Sequence, residues 1–230
     1  MSNSNFHELI DEGLKAESNA RAKPRIVGVY YISEIFECSR KIYYSYKTDL
    51  PEEPYSLSTL KNFAIGNAVH ELVQKLLSHN GKYMATHEVA GLSYRRPAFE
   101  IHGRLDTLMQ NLSDGSKIIL ELKTCQDARK MHAPLAAHSA QINFYLNFYK
   151  DAKGIVTYIG KTGNDDDIAA FNSITFSQEL MKHTEERAAH IHSNIINNIL
   201  PMPEGKILAP VKCKYCIFRT KCESDENVVK

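Results

Sequence analysis

The chain has 230 residues, 43% hydrophobic and 24% charged, enough apolar side chain for a sizeable core and a length that fits one domain better than two. Such a composition excludes a disordered chain, a collagen-like repeat and a small disulfide scaffold. With 28 basic against 27 acidic residues the net charge is +1, so nucleic-acid binding through a global positive field is also excluded and any such contact must come from a local patch.

Residues 1–25 are polar and weakly periodic and predict an arm or a loosely docked first helix ahead of one domain over 26–230. Neither a signal-length apolar core nor the ~18 apolar residues of a membrane helix is present, so the expectation is a soluble, cytoplasmic protein. Apolar residues recur at helical spacing from Ile32 to Tyr46, and the prolines at 51 and 54 stop them. Ser58 is placed to cap a second helix ending at Asn80-Gly81, in which Val69, Leu72, Val73 and Leu76 predict one apolar stripe. The period then falls toward two in FEIHGRLDTLMQ and KIILELKTC, with NLSDGS as the turn between them. Pro134 opens another helical run, GIVTYIGK and IAAFNSITF read as strands, and Ser177 caps a long amphipathic helix to about Ile199. An irregular tail with three cysteines follows.

A two-residue turn at Asp114-Gly115 predicts Asp106 opposite Lys123, with Glu121 two residues along on the same face. Cross-strand neighbours lie roughly 5 Å apart, so two carboxylates and an ammonium converge. Adjacent acids repel unless a cation sits between them, and a hard, oxygen-liking divalent ion suits the pair. A lysine beside such an ion can orient or deprotonate water, or neutralise charge developing on a phosphate. On neighbouring helices His70 lies four residues after Gly66, and Gln141 and Tyr145 share one face.

The ordered series GNAVH, GRLD, ELK and QINFY resembles the RecB-like branch of the PD-(D/E)xK nuclease superfamily, with its G-x-x-x-H, D, E-x-K and Q-x-x-x-Y elements. That resemblance implies an α/β restriction-endonuclease-like core with a mixed central sheet flanked by helices. It implies His70, Asp106, Glu121 and the Leu122 carbonyl as ligands of Mn²⁺ or Mg²⁺, and Lys123 as the catalytic lysine. Gln141 and Tyr145 are then active-site and DNA-contacting residues, and Glu121 and Asp106 belong to the catalytic set.

Cys213, Cys216 and Cys222 supply three thiolates, one short of a closed site, and Cys38 could complete it from the first predicted helix. Thiolate-only sites suit zinc and iron–sulfur clusters alike, so spacing leaves both open. One early cysteine with a late C-x2-C-x5-C around a RecB-like core resembles the iron-staple nucleases, and the chain's size points to the CRISPR-associated Cas four family among them. This implies an iron–sulfur cluster, 4Fe-4S rather than 2Fe-2S, on Cys38, Cys213, Cys216 and Cys222, in segments 32–46 and 206–224 that tie the chain's ends together. Ser39 stands where that family often has proline, and Cys125 has no role in the resemblance.

Around these cysteines Arg40, Lys41, Tyr43, Tyr44, Tyr46 and Lys47, and Lys212, Lys214, Tyr215, Arg219 and Lys221, mix cations with aromatics. Such a patch would bind phosphates and stack bases of single-stranded or frayed DNA. The resemblance implies a metal-dependent DNA exonuclease, with endonuclease action left open, in CRISPR adaptation, trimming prespacers beside the Cas one and Cas two integrase. Other readings stay open: a free-standing or viral repair and recombination nuclease, a non-catalytic iron–sulfur DNA-binding module, or a zinc-stabilised interaction domain. Self-association is compatible with each.

Overall fold

The computed structural model describes residues 3–20, 25–47, 55–161, 166–208 and 213–228. A first helix α1 (Asn3–Ala20) packs on α4 (Leu57–Ser78). Between them lie strand β1 (Val29–Tyr31) and two short helices, α2 (Ile32–Ile35) and α3 (Ser39–Ser45). The single helix expected over Ile32–Tyr46 is therefore broken, with Cys38 as the non-helical N-cap of α3. That break turns the Cys38 end of α3 toward the tail of the chain.

Among the described residues the sheet has six strands. β3 (Glu100–Asn111) pairs along its whole length with β2 (Tyr83–Arg95), while its other edge is shared by β1 at Glu100–His102 and by β4 (Lys117–Cys125) at Thr107–Gln110. β4 then pairs in parallel with β5 (Lys153–Gly160), and β6 (Ile168–Ile174) closes the edge antiparallel to β5. The mixed sheet expected from the sequence is present. β2 was not expected: its half-exposed alternation is broken at Glu88 and Gly91, both at positive φ, and its pairing slips between Val89 and Leu92. Such interruptions hide a strand from any reading of period.

The crossover helix α5 (Ala136–Leu146) joins the parallel strands β4 and β5 and is buried continuously from Ala140 to Leu146. It sits between the sheet and helices α2 and α6 (Gln178–Ile196). Gly103 lets it approach, since a Cβ there would stand 2.6 Å from the Phe144 ring and 2.8 Å from that of Tyr145. On α4 the expected stripe is only partly used. Val73 joins Leu77 against Met109, Leu120 and Leu122, whereas Leu72 and Leu76 face outward. The helix is capped by Ser56, whose hydroxyl accepts from the Thr59 amide, rather than by Ser58. Ser177 caps α6 as expected.

After α6 come the short α7 (Gly205–Leu208) and the terminal α8 (Arg219–Val228). Tyr44 of α3 packs on Phe218 and donates to Asp225 at 2.5 Å, and the Arg40 Nε donates to the Pro201 carbonyl at 2.6 Å. Early and late segments thus share one core. Among the described residues no helix is long and apolar enough to cross a membrane.

Candidate active site and cysteine pocket

The β3–β4 ladder ends at the pair Thr107 and Leu120. Beyond it, the Leu122 amide that a continuing ladder would give to a β3 carbonyl instead donates to Asp106 Oδ2 at 2.7 Å. The hairpin loop is longer than the expected two residues, with the Asn111 amide bonded to the Ser116 carbonyl at 2.8 Å. Register therefore moves by two residues, which keeps parity: Asp106 lies level with Glu121 instead of Lys123, and all three still converge.

Glu121 is fully buried. One of its oxygens accepts from Lys123, and the other, Oε2, is buried without a hydrogen-bond partner. Burial pushes the Glu121 carboxyl up to about 8, with the charges of Asp106 and Glu88 adding to it and Lys123 opposing. Asp106 is also raised by burial, against the pull of Lys123, His70 and the Leu122 amide. Burial alone would lower Lys123, but Glu121 and Asp106 outweigh it and hold the ammonium above its ordinary value. The pair is therefore an acid-rich pocket short of positive charge.

His70 comes to this point from α4. Its Nδ1 lies 3.9 Å from Asp106 Oδ2. Gly66, one turn earlier, allows the approach, because a Cβ there would already stand 3.3 Å from Thr124 Oγ1. One turn after His70, Gln74 was missed by sequence reasoning although the i, i+4 spacing signals it. Its amide donates at 3.1 Å both to the Asp106 carbonyl and to Glu88 Oε1. Glu88 was missed as well, lying in the unexpected β2, and its other oxygen pairs with Arg104 at 2.8 Å.

Gln141 and Tyr145 are adjacent as their spacing predicts, the Gln141 amide donating to the Tyr145 hydroxyl at 3.0 Å. Both are buried, and the Tyr145 hydroxyl donates at 2.8 Å to the carbonyl of Arg104, two residues before Asp106. Burial, with the nearby Glu121 charge, holds that phenol protonated, well above its ordinary range. Through these bonds the two residues brace the strand that carries Asp106.

The four cysteines expected to act together do meet. Cys38, Cys213, Cys216 and Cys222 line one cavity of about 350 Å³, and all are free thiols. A Cβ on Gly205 would lie 3.3 Å from the Cys38 sulfur and 3.4 Å from that of Cys213, so the glycine keeps the cradle open. Burial, then neighbouring thiols, raise Cys213 and Cys216. Cys125 stands apart, beside Asp167. Among the described residues neither the acid set nor the thiol set is drawn in to metal-ligand distance. Fit rests instead on donor chemistry: an orphaned buried carboxylate oxygen beside a second acid suits a hard cation, and four thiols around a glycine cradle suit a thiophilic centre.

A clasp of polar groups fastens this pocket. Glu204 accepts from the Ser39 amide at 2.7 Å, from the Ser39 hydroxyl, and from Arg187 at 2.6 Å. Arg187 also donates to the carbonyls of Ile35 and Glu37, and Arg40 reaches the Cys222 sulfur at 3.7 Å. The stacking patch expected from Arg40, Tyr43, Tyr44 and Tyr46 is corrected: all four are buried, the tyrosines in the main core. Lys41 pairs with Glu37 and Lys47 with Asn198, while Lys221 pairs with Asp225. Lys214, Tyr215 and Arg219 are exposed, and Lys212 lies outside the described residues.

Residues 80–223 match the family model of the PD-(D/E)XK nuclease superfamily. The chain belongs to that superfamily. This nuclease is 27% identical over 197 residues to the CRISPR-associated exonuclease Cas4 of Saccharolobus solfataricus, covering 84% of this chain and 86% of that protein; the match supports the Cas four branch. Among solved structures, that of SSO0001 superposes with a TM-score of 0.64 at 22% identity, covering 95% of this chain and 96% of that one. An alkaline exonuclease from Laribacter hongkongensis gives 0.52 at 12% identity, covering 82% and 94%. At these identities the two structures establish a shared fold. The superfamily works on nucleic acid with divalent metals, which is the chemistry an acid-rich pocket with a lysine can serve.

Proposed function

We propose that this nuclease is a metal-dependent DNA exonuclease acting on single-stranded or frayed ends. The observation that carries the reading is the buried, unpartnered Oε2 of Glu121 beside Asp106 and Lys123. A buried carboxylate oxygen with no donor is costly unless a cation completes it. His70, Asp106, Glu121 and the Leu122 carbonyl would hold one Mn²⁺ or Mg²⁺, the histidine favouring Mn²⁺. When bound, that ion polarises the phosphate and lowers the pKa of a water ligand. Lys123, fixed by Glu121, orients the attacking water and offsets charge on the phosphate oxygens. Gln74, Gln141 and Tyr145 hold the β3 backbone on either side of Asp106 so that these groups keep their aim.

Cys38, Cys213, Cys216 and Cys222 would hold an iron–sulfur cluster, 4Fe-4S in preference to 2Fe-2S, as a staple between the early and late segments of the chain. The Saccharolobus relative is by name a CRISPR-associated exonuclease, which supports a CRISPR-associated exonuclease role here; a place in adaptation, prespacer ends as substrate and the Cas one and Cas two integrase as partners are what the family resemblance adds to this proposal.

End-labelled single-stranded DNA, incubated with Mn²⁺, Mg²⁺ or EDTA after anaerobic purification, tests the reaction. Metal-dependent shortening lost in Lys123→Ala and Asp106→Ala is expected; undiminished cutting by either variant refutes the site. Elemental analysis of the same protein should give iron, lost in Cys38→Ser. Zinc in its place would mark the thiols as a zinc site.

A further inference from the structure

Tyr55 immediately precedes the Ser56 cap of α4, and Phe63 lies inside that helix. Their rings meet edge-on with centroids 5.3 Å apart. Phe63 lines a cavity of about 410 Å³ that also contains His70 and Lys123, and Tyr55 lines the cavity of the four cysteines. The aromatic pair is thus a ridge common to both. Phe63 is 49% exposed although it adjoins the reacting groups. Past the ridge, the rim of the cysteine cavity carries the exposed Lys214 and Tyr215, the latter 61% exposed, together with Lys41 and Arg219, which are ion-paired with Glu37 and Glu223.

We propose that Tyr55 and Phe63 form a stacking station for unpaired bases of the substrate strand, between the scissile phosphate at Lys123 and the basic rim beyond. The proposal rests on the DNA-nuclease reading above and names how that site would select its strand. Every base has a π-face, so an aromatic ridge takes any sequence; a duplex has its bases stacked on one another and offers it none. Cations on the rim then hold the backbone that leads away. The stacking role expected of Tyr43, Tyr44 and Tyr46 passes to Tyr55 and Phe63, beside the Tyr215 already expected, because the first three are committed to the core.

The test uses the full chain with single-stranded oligonucleotides carrying one 2-aminopurine at successive positions from the end, bound in Ca²⁺ to suppress cutting. Quenching at one or two fixed positions is expected for the wild type, lost in Phe63→Ala and kept in Phe63→Tyr. In Mn²⁺ the Phe63→Ala variant should show a KM for single-stranded DNA raised roughly fivefold to a hundredfold with kcat little changed, from the usual worth of one stacked base. Because Phe63 is half exposed, the melting temperature should stay at the wild-type value. Unchanged quenching and KM in Phe63→Ala would overturn the proposal, as would unaltered DNA binding alongside loss of self-association in sedimentation, which would make the ridge a contact between copies. Quenching by a wild type that never cuts would support the station while removing the nuclease reading.

Discussion

Ser39→Pro isolates what the Glu204 clasp contributes. Ser39 is the first residue of α3, a position where proline's fixed φ is already suitable, and Cys38 before it, at φ −58° and ψ 121°, is already outside the α region that proline disfavours in the residue preceding it. The backbone therefore tolerates the change, and what disappears is the amide at 2.7 Å from Glu204 together with the hydroxyl that also donates to it. A hydrogen bond to a charged group contributes about 1.5–3 kcal/mol. Glu204 keeps Arg187, and its side chain is 27% exposed to water that can replace the lost donors, so the pair together contributes about 1–3 kcal/mol once proline's stiffening of the unfolded chain is counted. For a domain of this size that is roughly 3–10 °C in melting temperature. Ser39→Ala, which removes only the hydroxyl, should fall between proline and wild type. Thermal melts followed by far-ultraviolet circular dichroism on metal-free protein read this directly. A Ser39→Pro variant melting at or above wild type would refute the reasoning and leave α3 held by its tyrosines alone.

Two other outcomes follow from the same geometry. Because the folded-state carboxyl of Glu121 is raised to about 8 by burial, its contribution to stability is fully present below the unfolded value and is lost as pH rises through 8. Metal-free protein should therefore melt at lower temperature at about pH 9 than at about pH 6, and Glu121→Gln should flatten that slope; a wild-type melting temperature that climbs over this window would contradict the assignment. In Gly103→Ala the new methyl would meet Phe144 and Tyr145 at 2.6 and 2.8 Å, an overpacking costing about 1–3 kcal/mol. Since Tyr145 braces the strand of Asp106, kcat should drop more than KM rises, and a variant equal to wild type in both stability and rate would show that the helix moves away freely.

The acid hairpin was legible because parity, unlike exact register, survives an error in turn length. The loop proved longer than two residues, yet Asp106, Glu121 and Lys123 still met. Caps were legible where one hydroxyl stood alone, as at Ser177, and misplaced where Ser56 and Ser58 competed within three residues. The cysteine set could be read from its spacing together with its family resemblance, since one cavity receives all four thiols. What could not be read depends on partners distant in the chain. A run of tyrosines from 43 to 46 looks the same whether it faces bases or Phe218 and Asp225, and only the fold brings those residues against it. The contacts of Glu88 with Gln74 and Arg104 were hidden with its strand, whose positive-φ positions break alternation. Leu72 and Leu76 continue a helical stripe by composition, yet the sheet beneath α4 reaches only its other edge.

Arg40 and Cys222, which touch in the folded protein, are 182 residues apart in sequence. A ribosome adding roughly 5–20 residues per second takes on the order of 10–40 s to cover that span. Through all of it the face of α3 that will meet the tail is bare, with Tyr44 in contact with solvent or with whatever shields the nascent chain. The sheet can pair while synthesis continues, but the cysteine cavity cannot exist until its last wall has emerged from the exit tunnel. A metal centre held by all four thiols accordingly waits for that last wall, and until it arrives the aromatic face of α3 lacks its cover.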